Sequence, residues 1–138
     1  MIVSRELRIG NLVLVPELWE NQFFNVLELY SEECSVSPTV KAESRIASYR
    51  ILQPIPITSP LLENFGFTME KHSHLSLTNY FILRQGAQCL YLNAQLQPIS
   101  SPSVPVFVVN YRIEYFHQLQ NVFFAITGQE LSIFASLR

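Results

Sequence analysis

Residues Tyr115–Gly128 read Y-F-H-Q-L-Q-N-V-F-F-A-I-T-G, and this stretch decides the fold class. Tyr115, Leu119, Val122 and Ile126 fall at i, i+4, i+7 and i+11, with Phe116 and Phe123 widening the stripe. That spacing is the signature of an amphipathic helix. Gly128 stands where a helix C-terminal glycine belongs. The chain before it is rich in Val, Ile, Phe, Tyr and Thr and poor in Ala and Lys, which favours strands. The expected class is therefore α+β, an antiparallel β-rich body with a C-terminal amphipathic helix packed on a sheet.

Working outward, Leu7–Val15 (L-R-I-G-N-L-V-L-V) reads as a strand bent at Gly10-Asn11. Phe23–Tyr30 reads as a second strand, with Phe24, Val26 and Glu28 on one face. Ser35–Val40 and Ser48–Leu52 are further strand candidates around the polar stretch Lys41–Arg45. Their short spacing predicts an SH3-like barrel, or a curved antiparallel sheet, over residues 1–56. Thr58-Ser59-Pro60-Leu61-Leu62-Glu63 then carries a helix-start pattern of Ser cap, early Pro and first-turn Glu, closed by Gly66. Strands are expected at Phe67–Glu70, His74–Arg84 and Gln88–Asn93, with a turn at Gln85-Gly86. Gln97–Pro105, rich in Ser and Pro, is expected to be exposed and irregular. Val106–Glu114 alternates as a strand does, and Leu131–Phe134 would add a short final one. The whole forms one domain, 1–138, because a fifty-residue piece alone would be marginal.

Composition narrows the function. The chain has 138 residues, 49% hydrophobic but only 14% charged, which excludes a disordered tail or a histone-like basic protein. All acidic residues are glutamates, so no EF-hand loop, Asp-based two-metal nuclease or Ser-His-Asp triad can be built. A net charge of −2 offers no long-range attraction for phosphates, and nucleic acid is not an expected partner. Apolar runs such as Val104–Val109 fall far short of the ~20 residues needed to span a bilayer, so no membrane association is expected. Cys34 and Cys89 read as buried reduced thiols, and Met1–Arg5 carries no secretory pattern, so the expected location is the cytoplasm.

Motifs for nucleophiles, phosphate loops and zinc proteases are missing, and no cofactor is expected. His72-Ser73-His74 has period-2 spacing and could bind zinc with Glu70 and a further ligand, although such pairs also occur by chance. Glu28, Glu114 and His117 are conceivable acid–base groups, but their spacing cannot test whether they meet in space. The polar face of the last helix is the unusual feature: His117, Gln118, Gln120 and Asn121 crowd into five positions. Amides and a neutral imidazole make directional hydrogen bonds without the desolvation cost of full charges. Such a face suits a sheet edge, another subunit or a polar ligand, or bonds to neighbouring loops of the same chain. Arg45, Arg50, Arg84 and Arg112 are interspersed with Tyr49, Tyr80, Tyr91 and Tyr111. Arginine with aromatics on a sheet can hold nucleotides by stacking and phosphate contact, or can be ordinary cross-strand packing. The candidate contact residues for a ligand or partner are thus His117, Gln118, Gln120, Asn121, Arg84, Arg112 and Tyr111.

Three segments carry a resemblance: L-R-I-G-N-L-V (Leu7–Val13), P-I-P-I-T…L-L-x-x-F-G-F (Pro54–Phe67) and H-Q-L-Q-N-x-F-F-A-I-T-G-x-E-L (His117–Leu131). In this order they resemble a family of short, uncharacterised proteins encoded by bacterial phages, prophages and mobile elements. The resemblance implies such an origin and a cytoplasmic site of action, and it implies no activity. The Ser/Pro link departs from the pattern. The expected function is a non-catalytic, stoichiometric binding protein forming a homo-oligomer. A counter-defence role would capture a nucleotide signal or block a host protein. A structural or DNA-metabolism accessory, or a small hydrolase, are the alternatives.

Overall fold

Strand-forming segments separated by turns fold here into two antiparallel four-stranded sheets, with one short and one long helix. The computed structural model describes residues 2, 6–18, 22–39, 43–74, 77–101 and 112–131, apart from the side chains of 74, 77 and 78. The class is α+β, mostly β. Contacts divide the chain into two compact units, one built on Met1–Pro56 and Tyr115–Asn121, the other on Ile57–Glu114 and Val122–Ser136.

In the first unit β1 (Leu12–Leu14), β2 (Phe23–Leu29), β3 (Glu33–Pro38) and β4 (Arg45–Ser48) follow one another as a meander. Its core gathers Val13, Val15, Phe24, Val26, Cys34, Val36, Ala47 and Leu52, with Ile2 and Leu7. Phe24 and Val26 point inward as their alternation dictates, but the register slips between Val26 and Glu28. Val26 faces Val36, whereas Glu28 faces Ser35, so Leu27 is the extra residue of a β-bulge. The bulge moves Glu28 off the face of Phe24 and Val26 and leaves Leu27 40% exposed.

Two local expectations are corrected in this unit. The strand placed at Ser48–Leu52 lies earlier, because Ser48 caps a 3-10 turn over Tyr49–Ile51, its hydroxyl accepting the Arg50 N–H at 3.2 Å. The sheet is also not a closed barrel. After the 3-10 turn, Gln53 exchanges two backbone bonds with Leu14 (2.9 and 2.8 Å), a single isolated bridge on the outer edge of β1. Pro54 and Pro56 flank Ile55 just beyond it, and proline has no N–H with which to extend a ladder.

The second unit opens with α1 (Ser59–Asn64). Its cap is Thr58, not Ser59: the Thr58 hydroxyl accepts the Leu61 N–H at 3.2 Å, and Pro60 sits in the first turn. Four strands follow in order: β5 (Phe67–His74), β6 (Leu77–Gln85), β7 (Gln88–Asn93) and β8 (Pro98–Ile99). Gly86 and Ala87 join β6 to β7, and Gly86 has φ +60°, the positive value a tight hairpin needs at its first central residue. Pro98 and Ile99 are buried and paired to β7, so this part of the Ser/Pro link is neither exposed nor irregular. Asn93 explains the difference. Its side-chain oxygen accepts the N–H groups of Gln95 and Gln97 (2.9 and 3.0 Å), folding the chain back onto β7. Positions 102–105 of the link and positions 106–111 of the strand expected at Val106–Glu114 lie outside the described residues; Arg112–Glu114 form no strand. Positions 132–134 of the expected last strand also lie outside them.

Helix α2 covers Phe116–Thr127 and ends at Gly128. Phe116, Leu119, Gln120 and Phe123 are buried at i, i+3, i+4 and i+7, flanked by His117 and Val122. Ile126, expected on the apolar stripe, is 39% exposed. The stripe is rotated because two polar residues, His117 and Gln120, take inward positions, and their partners supply the reason below. No helix among the described residues is long and apolar enough to cross a membrane.

Candidate functional site

The amide-rich helix face is used within the first unit. Gln120, 2% exposed, accepts the Leu12 N–H at 2.7 Å and donates to the Gly10 carbonyl at 3.0 Å. These two backbone groups sit two residues apart on the outer edge of β1, the pattern that a neighbouring strand would satisfy. One side-chain amide therefore substitutes for a peptide unit, and the Leu14–Gln53 bridge covers the next pair along that edge. Gly10 takes φ +94°, which turns its carbonyl toward the amide in a conformation that other residues rarely adopt.

Asn121 continues the arrangement. Its oxygen accepts from Arg8 Nε (2.8 Å) and from the buried Asn11 amide (2.9 Å), and its own amide donates to the Glu6 carbonyl (2.6 Å). Asn11 also accepts the Arg8 N–H at 2.7 Å, closing the turn that leads into β1. Gln118 accepts the Tyr115 N–H at 3.1 Å, an N-terminal cap for α2. His117, 1% exposed, lies parallel to the Tyr115 ring, with Nε2 3.3 Å from the Glu6 carboxylate. A carboxylate can only accept, so Nε2 carries the proton and Nδ1, which has no partner, is a bare lone pair.

Burial lowers the His117 pKa from its usual value and outweighs the opposing pull of Glu6. Charging this ring would place an N–H donor at the buried Nδ1. Because the folded pKa lies below the unfolded value of about 6.5, the unfolded chain takes up the proton first. Stability from this group is complete above that value and is lost as pH falls toward and through the folded pKa. Thermal melting at pH 7.5 and pH 5.5 is expected to show a lower midpoint in acid, and His117→Gln is expected to shrink that difference. Equal differences in both proteins would remove His117 as its source.

A second assembly lies on the second sheet. Register places Thr68, Arg84 and Cys89 in one cross-strand row, Glu70, Ile82 and Tyr91 in the next, and His72, Tyr80 and Asn93 in the third. Leu83, Leu90 and Phe67, from the alternate positions, fill the core on the opposite face. Arg84 Nε donates to Glu70 Oε2 at 2.9 Å, and His72 Nε2 lies 3.6 Å from the same oxygen. First Arg84 and then His72 hold the Glu70 carboxyl below its ordinary pKa. His72 stacks on Tyr80 with ring centres 5.5 Å apart, and Tyr91 tilts toward Tyr80 at 6.5 Å. The neighbouring Cys89 thiol raises the Tyr91 pKa. The His72, Glu70 and Arg84 side chains are about half exposed (43%, 48% and 47%), whereas Tyr80 and Tyr91 are partly buried and Ile82 and Asn93 on the same face are buried.

Of the expected contact residues, the structure brings His117, Gln118, Gln120 and Asn121 together in the first unit and sets Arg84 in the second-sheet face. Arg112 is exposed in the second unit, and Tyr111 lies outside the described residues. Glu70, His72, Tyr80 and Tyr91 complete the sheet face without having been expected there as a group. Their signal was the period-2 alternation of polar and aromatic residues through β5, β6 and β7. The His72-x-His74 pair straddles a register shift. No cluster of three His, Cys or Glu side chains capable of holding a metal occurs among the described residues, and both cysteines are free. No protein-family model, no curated protein and no solved structure matches this chain.

Proposed function

We propose that this chain is a non-catalytic binding protein that captures a nucleotide, one per site, on the outer face of the β5–β8 sheet. The observation that supports this reading is the aromatic row of His72 and Tyr80, with Tyr91 diagonal to it in the next row and Arg84 one row further, on a face whose charged side chains are half exposed. Cross-strand spacing is roughly 5 Å and same-face spacing along a strand roughly 7 Å, so the row has the dimensions of a nucleobase. Stacking on such rings is worth about 1–3 kcal/mol per base. The Arg84–Glu70 pair leaves this patch without net charge, which disfavours tracking a long polyanion and favours a small ligand held by its base. The phage or mobile-element resemblance adds the setting: a cytoplasmic counter-defence protein that sequesters a nucleotide signal. The high apolar content, with Ile46, Leu27 and Tyr30 exposed on the first unit, supports a homo-oligomer.

Calorimetry with a panel of linear and cyclic nucleotides is expected to show saturable binding with little dependence on salt. Tyr80→Ala is expected to weaken it about tenfold or more, the loss of roughly one stacking contact. Absence of heat with every nucleotide would overturn the reading.

A further inference from the structure

We infer that the ligand base is guanine, read by the Glu70–Arg84 pair at the border of the aromatic row; the inference rests on the nucleotide reading above. Arg84 uses Nε on Glu70 Oε2, and His72 approaches that same oxygen. Among the described residues, Oε1 of Glu70 and the two terminal nitrogens of Arg84 therefore have no protein partner. The pair thus presents an acceptor beside a fork of donors, next to the ring on which a base would stack. Guanine carries the complementary sequence on one edge: the O6 acceptor, then the N1–H and N2–H donors. Arg84 would donate to O6 and Glu70 Oε1 would accept from N1–H and N2–H.

The state of Glu70 fits this role. Arg84 and His72 keep it ionised at neutral pH, and an ionised carboxylate accepts but cannot donate. Adenine places an N6 amine and a bare N1 there, so it offers one donor to the carboxylate where guanine offers two. Cytosine likewise offers a single amine, and uracil a single N3–H. The phosphate is left toward solvent, which fits a face where, among the described residues, the Arg84 guanidinium is already engaged with a carboxylate.

The test is calorimetry of the full chain with guanosine, adenosine, cytidine, uridine and inosine monophosphates. GMP is expected to bind about tenfold more tightly than AMP, the discrimination typical of one good paired contact. Inosine monophosphate, which keeps O6 and N1–H but lacks the 2-amine, is expected to fall between them. Glu70→Gln, an exposed position whose variant can be checked for native circular dichroism, is expected to bring the GMP-to-AMP ratio close to one. Equal affinity for all five nucleotides, or a guanine preference that survives Glu70→Gln, would overturn this inference while nucleotide capture stands. No binding of any nucleotide would overturn both.

Discussion

Glutamate in place of Gln120 is expected to destabilise the protein by about 3–5 kcal/mol, the usual consequence of leaving a buried charge without a proper partner. The new carboxylate could still accept the Leu12 N–H, but its second oxygen would face the Gly10 carbonyl where an N–H now donates at 3.0 Å. Two acceptors would oppose each other at a position with almost no access to water. Gln120→Leu separates charge from hydrogen bonding. It keeps the volume, removes both bonds and leaves the Leu12 N–H and Gly10 carbonyl unpaired, at about 1–3 kcal/mol for each buried group left unsatisfied. Urea denaturation followed by circular dichroism reads both variants. A loss below about 0.5 kcal/mol for leucine, the range of ordinary surface substitutions, would show that the amide does not secure the β1 edge.

Phe24→Ala is the other large effect, expected at about 3–5 kcal/mol for a fully buried phenylalanine that leaves a cavity. Phe24 lies in the first-unit core beside Val13, Val26 and Val36 and pairs across the sheet with Val13 and Pro38. Leu27→Ala, three residues along the same strand, is expected to change stability by no more than about 0.5 kcal/mol, because the bulge turns Leu27 outward. The contrast tests the bulge itself. If Leu27→Ala cost as much as Phe24→Ala, the register between β2 and β3 would be other than described.

Much of the local structure was legible. The strand at Phe23–Leu29, the β6–β7 hairpin at Gly86, the short helix before Gly66 and the helix ending at Gly128 all follow from signals within a few residues. Three of the misplaced elements share one cause. Ser48, Thr58 and Asn93 each redirect the backbone through a side-chain hydrogen bond, and their residue types permit that geometry without requiring it. Propensity alone could not choose Thr58 over Ser59 as the cap, nor see that Asn93 would pull Pro98 and Ile99 into a sheet.

The polar helix face was legible as an oddity but not as a solution. Four amide and imidazole side chains in five positions announced directional hydrogen bonding. That Gln120 meets Leu12 depends on bringing together residues 108 positions apart. The second-sheet face follows the same logic. Alternation assigns Glu70 and His72 to one side of β5, but only strand register places Arg84, Tyr80 and Tyr91 beside them.

Amino-acid order by itself therefore determined the α+β class, most of the short strands, the terminal helix and the shortage of charge, since each arises from short-range periodicity or composition. Tertiary structure alone decided the open edge of the first sheet, the inward turn of His117 and Gln120, and the neighbours of Arg84. Those depend on pairing register and on which backbone groups lack a partner, and neither is written in the residues that respond to them.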